Sequence, residues 1–260
     1  MNNNDIKHSD WTRERTQRLR EFFGLKEQST LLPNGATAKL DVDSAAANQL
    51  AAFNIEWHVV PSNEAVPLDG AYLAKLYPRA PRNFSLAREY AASYRDIISD
   101  NHKQHQGHII GVETTIKPRY LPGNRQYYGT PYGFDATLDP LSPYMGRAGL
   151  MSGTRYAHDY LSLQQLLRVV ADDWQARSMM PSGYRLSLCP PGIFNLIGTI
   201  FHPEWSETES LELGFYTDAR GNAECFAVGS NAPGDFSFIN AVEGAEDWRL
   251  LGFRLALVPE

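Results

Sequence analysis

The chain has only two cysteines, Cys189 and Cys225. That excludes a disulfide-dense secreted scaffold and points to a reducing compartment, although a single Cys189–Cys225 bridge stays open. Long hydrophobic runs are also lacking. No window approaches the roughly 18 apolar residues that span a bilayer. The start, MNNNDIKHSD, has no apolar core of a secretory signal. These absences together predict a cytoplasmic protein that does not enter membranes. Positive charge is in deficit, with 24 Lys and Arg against 30 Asp and Glu and a net charge of −6. Broad binding to nucleic acid normally needs a basic surface, so that partner is excluded. The sequence lacks a phosphate loop, a dinucleotide fingerprint, a nucleophile elbow and a paired CxxC site. Internal repeats and low-complexity tracts are missing too.

What is there is the composition of a folded protein: 260 residues, 43% hydrophobic and 12% aromatic. Helices and non-alternating strands intermix. They predict an α+β fold, a mixed and largely antiparallel sheet with flanking helices. We read residues 1–260 as one globular domain. It has a flexible tail over 1–8, a helix-rich part over 9–110 and a strand- and loop-rich part over 111–260.

Ser9 or Asp10 caps a predicted helix ending at Phe23, before Gly24. Trp11, Arg15, Leu19, Phe22 and Phe23 fall at helical spacing on it, with Arg13, Arg18 and Arg20 opposite. Further helices are expected over 44–53, 71–77, 85–99 and 163–177, the last capped by Ser162 with Leu166, Leu167, Val170 and Trp174 inward. Strands are expected over 30–43, 55–60, 109–116, 184–188, 194–201, 211–216, 225–228 and 248–258. Asp218 to Asn222 is a hairpin-like turn. Residues 117–153 read as a long aperiodic loop, a feature that is commonly functional.

Residues 183–205, GYRLSLCPPGIFNLIGTIFHPEW, hold the longest nearly uncharged apolar run and close on His202-Pro203-Glu204-Trp205. A His and a carboxylate two apart on an extended segment share a side. His202 and Glu204 are therefore candidate catalytic groups, as metal ligands or as a proton-transfer pair. Glu56-Trp57-His58 repeats the alternation, and His158 adjoins Asp159. Convergence of His58, His158 and His202 would make a mononuclear site for a divalent metal, iron or zinc. The alternative is that each is a core or rim histidine bonded to a carboxylate. His102, His105 and His108 sit three apart, but only two of them can share a helix face.

The third candidate is the Arg119 to Gly129 segment. Arg119 and Arg125 can clamp a carboxylate or phosphate, while Tyr127, Tyr128 and Tyr132 stack on a planar small-molecule ligand. Equally, the loop can be packed on its own aromatics. Neither cysteine has a basic neighbour that would make it a thiolate nucleophile.

Residues 155–260 resemble the sulfatase-modifying-factor group, which includes the formylglycine-generating enzymes. Four blocks carry the likeness. The helix Leu161–Trp174 with Gly183-Tyr184-Arg185-Leu186 looks like that family's helix and "yRLPT" strand. Asn195 to Phe201, followed by Glu204-Trp205, is similar to "DMxGNVWEW". Val228-Gly229-Ser230 sits where the family has "RGGSW", and Leu251-Gly252-Phe253-Arg254 looks like its "IGFR" ending. The resemblance implies a C-type-lectin-like core in the C-terminal part. The sequence departs from the family at the "TEAEWEYAARGG" segment, at Thr199 and at the two catalytic cysteines, which have no counterparts, Cys225 standing alone in that region. Formylglycine synthesis is therefore not implied. Iron-dependent sulfoxide synthases belong to the same group.

Three functions follow as expectations. The first is a protein binding a small polar or anionic ligand between the 117–147 loop and the 195–216 region, with metal-assisted or acid–base chemistry. The second is a non-catalytic, lectin-like recognition module for a protein or glycan. The third is an assembly subunit, working as a homo-oligomer.

Overall fold

The last ten residues serve two different four-stranded sheets. The computed structural model describes residues 3–32, 44–67, 75–76, 103–115, 119–121, 125–128, 131–150, 154–207, 211–217, 223–229, 238–241 and 251–260. In chain order, α1 (Asn3–Phe23) and α2 (Ser44–Ala51) precede β1 (Ile55–Val59) and β2 (Ile109–Glu113). A small hairpin follows, β3 (Arg119–Leu121) and β4 (Arg125–Tyr127), then α3 (Ser142–Arg147) and α4 (Tyr160–Ala176). β5 (Tyr184–Leu188) leads into α5 (Pro191–Ile200). β6 (Leu211–Thr217), β7 (Ala223–Gly229), β8 (Phe238–Ala241), β9 (Leu251–Phe253) and β10 (Leu255–Pro259) complete the chain. The fold is α+β, as the sequence predicts. No helix among the described residues is long and apolar enough to cross a membrane.

The first sheet runs β1-β2-β10-β5 and is antiparallel throughout. The second runs β8-β7-β6-β9, with β6 and β9 parallel and the other pairs antiparallel. Side chains of β10 alternate between two cores. Ala256 and Val258 face the core built with α1 and α5, while Leu255 and Leu257 face the one built with α2, α3 and α4. A strand buried on both faces reads as a continuous apolar run, and ALV does.

Residues 248–258, expected as one strand, contain a break. The chain leaves the second sheet after Phe253 and enters the first at Leu255, with Arg254 between them. Arg254 is 2% exposed, and its guanidinium bonds both sheets. Nε and Nη2 donate to the Glu212 carboxylate of β6 at 3.0 and 2.9 Å, and Nη1 donates to the carbonyls of Glu113 and Thr115 at 2.6 and 2.8 Å. A second buried guanidinium, Arg155, donates to both oxygens of Asp139 at 2.6 and 2.7 Å and to Glu113 at 2.5 Å. Burial opposes ionisation of Asp139, but the charge and bonds of Arg155 outweigh it and hold the carboxyl below its ordinary range.

Residues 194–201, expected as a strand, are helical. Pro191 stands in the first turn of α5, where a missing N–H costs nothing, and residues 191–198 are all buried. A helix buried all round has no amphipathic period, so its sequence imitates a core strand. α5 packs on β6 and β7. The approach is close at Gly214, where a Cβ would fall 2.8 Å from Cγ of Pro191.

Other expectations shift by less. α4 buries Leu163, Leu166, Leu167, Val170 and Trp174, each Leu contributing roughly 1.5–3 kcal/mol. Its cap is Asp159, accepting from the Ser162 N–H at 2.7 Å, and not Ser162 itself. Residues 3–8, expected as tail, continue the α1 backbone, since no Pro or Gly stops it. The 117–153 stretch carries the hairpin, a 3-10 turn (Ala136–Leu138) and α3, started by Pro143. The helices expected over 85–99 and over most of 71–77, most of the 30–43 strand and the 218–222 turn lie outside the described residues.

Candidate metal centre

β1 supplies the first two groups. Glu56 and His58 are two apart on an extended strand, so they point to the same side, toward α1 and the end of α5. α5 ends at Ile200 with Phe201 as its cap. His202 follows, its backbone N–H donating to the carbonyl of Ile197 at 3.1 Å. A 3-10 turn over Pro203–Glu207 then folds back, so the 202–204 segment is not extended as expected. The turn nevertheless brings Glu204 to His202.

One ligand atom from each of Glu56, His58 and His202 lies within 4.8 Å of the other two. Nε2 of His202 is 3.4 Å from Oε2 of Glu56, and Nε2 of His58 is 3.7 Å from the same oxygen. Donors about 2.0–2.1 Å from a tetrahedral ion stand about 3.3 Å from each other, so these edges fit a small metal after slight contraction. His202 Nδ1–H donates to Oε1 of Glu204 at 2.7 Å. That bond fixes the tautomer and turns the Nε2 lone pair inward, as an outer carboxylate does for a ligating histidine. Two electron-rich atoms, Nε2 and Oε2, then face each other at 3.4 Å. A cation between them, metal or proton, removes the repulsion.

His58 is fully buried, and neither ring nitrogen has a hydrogen-bond partner. Burial first, then the nearby charge of Arg15, pushes it well below the ordinary imidazole value, so it is neutral with a lone pair to give. Glu56 is ionised. With a proton on Nε2 of His202, the hydrogen bond to Glu56 and then the charge of Arg15 lower it to about 2 against the opposing effect of burial; a metal ion at that place would take over from the proton. Arg15 pairs with Oε2 of Glu56, and its guanidinium also lies 5.0 Å above the ring of Phe201. Thr114 Oγ1 donates to the other oxygen of Glu56 at 3.2 Å. Trp205 stacks on His202 with centroids 4.9 Å apart and planes 12° off parallel. Arg254 holds that indole in turn, 3.9 Å from its ring centre.

The structure thus brings together His58, His202 and Glu204, while the third expected histidine stands elsewhere. Nε2 of His158 is engaged by the carbonyl of Thr154 at 2.8 Å, and its ring packs edge-on to Phe253. Glu56 takes its place in the cluster. Arg15 had a legible signal, a charge on the apolar stripe between Trp11 and Leu19. Trp205 had none, since stacking on a residue three positions earlier needs the 3-10 turn.

The Arg119–Tyr132 candidates form a separate feature. Arg119 lies opposite Tyr127 in the hairpin register, and Leu121 opposite Arg125. Arg125 lies 5.2 Å above the ring of Phe134, on which Tyr127 also packs. Tyr128 is buried and Tyr132 exposed. Pro122, Gly123 and Asn124 lie outside the described residues, as does His102. His105 is buried and His108 exposed. Both cysteines are free thiols. No family model, curated protein or solved structure matches the chain.

Proposed function

We propose that this protein holds a divalent transition metal through Glu56, His58 and His202, and uses it for metal-assisted chemistry on a small polar or anionic ligand. The observation that carries the reading is a neutral imidazole, His58, buried without a hydrogen bond beside a second imidazole and a carboxylate. Burying a polar group unpaired costs free energy, and a metal ion gives it a partner. Two imidazoles and one carboxylate suit zinc or ferrous iron. Three protein ligands leave positions open for water and substrate, which is the ligand count of catalytic sites. The bound ion would supply Lewis acidity. Glu204 orients His202, Arg15 keeps Glu56 ionised, and Trp205 fixes the plane of the His202 ring.

The test is elemental analysis of protein purified without a histidine tag. Near-stoichiometric zinc or iron in the wild type, lost in His202→Ala with the fold retained, supports the centre. Absence of metal after reconstitution with either ion overturns it.

A second reading, recognition without catalysis, is favoured by one observation. Tyr132, Phe134 and Leu138 are 56%, 52% and 39% exposed on one short segment beside the hairpin. Neighbouring exposed apolar groups mark partner surfaces. Pull-down of a discrete partner, lost in Tyr132→Ser/Phe134→Ser, supports this reading.

A further inference from the structure

We infer that the concavity between α4 and β5 is a second, independent binding site, for a small organic anion bearing a carboxylate or phosphate. Its volume is about 500 Å³, within the range that holds small ligands. Arg168 and Gln164 reach it from α4, Arg185 enters from β5, and Leu167 and Met180 give it an apolar surface. It shares no residue with the Glu56–His58–His202 cluster.

Two guanidiniums, Arg168 and Arg185, line this wall. Arg15, Arg18, Arg147, Arg155, Arg177 and Arg254 each pair with a carboxylate. Arg168 and Arg185 form no ion pair among the described residues, although both line the same hollow. The charge of Arg185 is felt at buried His105, which it helps to push down. Glu260 lines the same hollow. Guanidinium is a planar fork matched to carboxylate and phosphate oxygens, and it binds them bidentately. The amide of Gln164 adds a further donor, while Leu167 and Met180 favour an anion with an apolar body over a bare inorganic one.

The experiment is isothermal titration of the full chain with three probes: inorganic phosphate, glutarate and phenyl phosphate. We expect saturable 1:1 binding of glutarate or phenyl phosphate, tighter than inorganic phosphate. Comparison of the two organic probes distinguishes the carboxylate from the phosphate head group. Arg168→Gln and Arg185→Gln should each weaken binding about tenfold or more, the scale of one charge-assisted bond. Both side chains are exposed, so the variants should keep the wild-type circular dichroism spectrum. Absence of saturable binding of every probe up to about 10 mM overturns the inference, since that limit marks affinity too weak for a built site. Equal affinity in the double variant overturns it as well.

Discussion

Arg254 donates to the main-chain carbonyl of Glu113 at 2.6 Å, and the carboxylate of the same glutamate accepts Arg155 at 2.5 Å. Glu113 therefore ties two buried guanidiniums together. The N–H of Leu255, first residue of β10, donates to its other oxygen at 3.1 Å. Where the chain changes sheets, every oxygen of this residue is used. A network of this kind is costly to bury and costlier to break, because the surviving partners keep their charge without solvent.

Arg254→Met should accordingly destabilise the fold by about 3–5 kcal/mol, by leaving Glu212 as an unpaired buried carboxylate. Arg18→Ala, which removes an exposed helix pair with Glu14, should cost no more than about 0.5 kcal/mol. Urea unfolding of the two variants reads the contrast directly. Similar small losses in both would show that the Arg254 network does not hold the sheets.

Acid should destabilise the fold through His105. Burial, then the charges of Arg185 and His108, lower it from 6.5 to about 4. Between those values the unfolded chain takes up a proton that the folded chain refuses. Stability present above pH 6.5 is thus lost as pH falls to about 4, by about 3 kcal/mol in all. In His105→Gln that share of the pH dependence should vanish. Unfolding curves at pH 7 and pH 4.5 would show parallel losses in both proteins if the account is wrong.

The fold class was legible because its signals are local. Helical spacing marked α4, an Ala-rich run marked α2, and short apolar runs marked β1, β2, β5, β6 and β7 near their observed bounds. Two errors share one cause, the lack of period in fully buried segments. α5 looked like a strand, and β9 and β10 looked like a single one, because burial on every side erases the alternation that marks a face. At the site, the Glu56/His58 and His202/Glu204 spacings were readable as pairs. Their meeting was not, because it depends on α1, β1 and the end of α5 packing together. His158 shows the limit of counting histidines, since the carbonyl of Thr154, four residues earlier, satisfies it instead.

Glu204 offers the sharpest test of the outer arrangement of the centre. Glu204→Gln keeps the shape and removes the charge that orients His202. Zinc affinity should fall about 10–100-fold, as when other outer carboxylates are removed. His158→Gln should bind zinc like the wild type, because that ring is engaged by Thr154. Competition against a chromophoric chelator measures both. Loss of affinity in the His158 variant and not in the Glu204 variant would reverse the assignment.

Thiol chemistry should be nearly silent in the folded protein. Burial raises Cys189 far above its ordinary value and Cys225 to about 11. At pH 8, Cys225 should react with an aromatic disulfide reagent roughly 200-fold more slowly than an ordinary thiol, in proportion to its thiolate fraction. Cys189 should be slower still. Both should titrate at once in guanidinium chloride. Rapid labelling of either under native conditions would contradict their burial.

Two glycines should respond to alanine with opposite signs. At Gly214 an added Cβ meets Cγ and Cδ of Pro191 at 2.8 and 3.0 Å, and neither the ring nor the strand can move without disturbing the core around α5. Overpacking of that kind costs about 1–3 kcal/mol. At Gly146, inside α3, a Cβ meets nothing within 4 Å. Alanine there removes the entropic penalty of glycine in a helix and should stabilise by about 0.5–1 kcal/mol. Thermal unfolding of the two variants therefore tests whether α5 lies against β6 as closely as described. If Gly214→Ala is neutral, the helix does not begin at Pro191 against that strand, and the position of His202 at its far end loses its support.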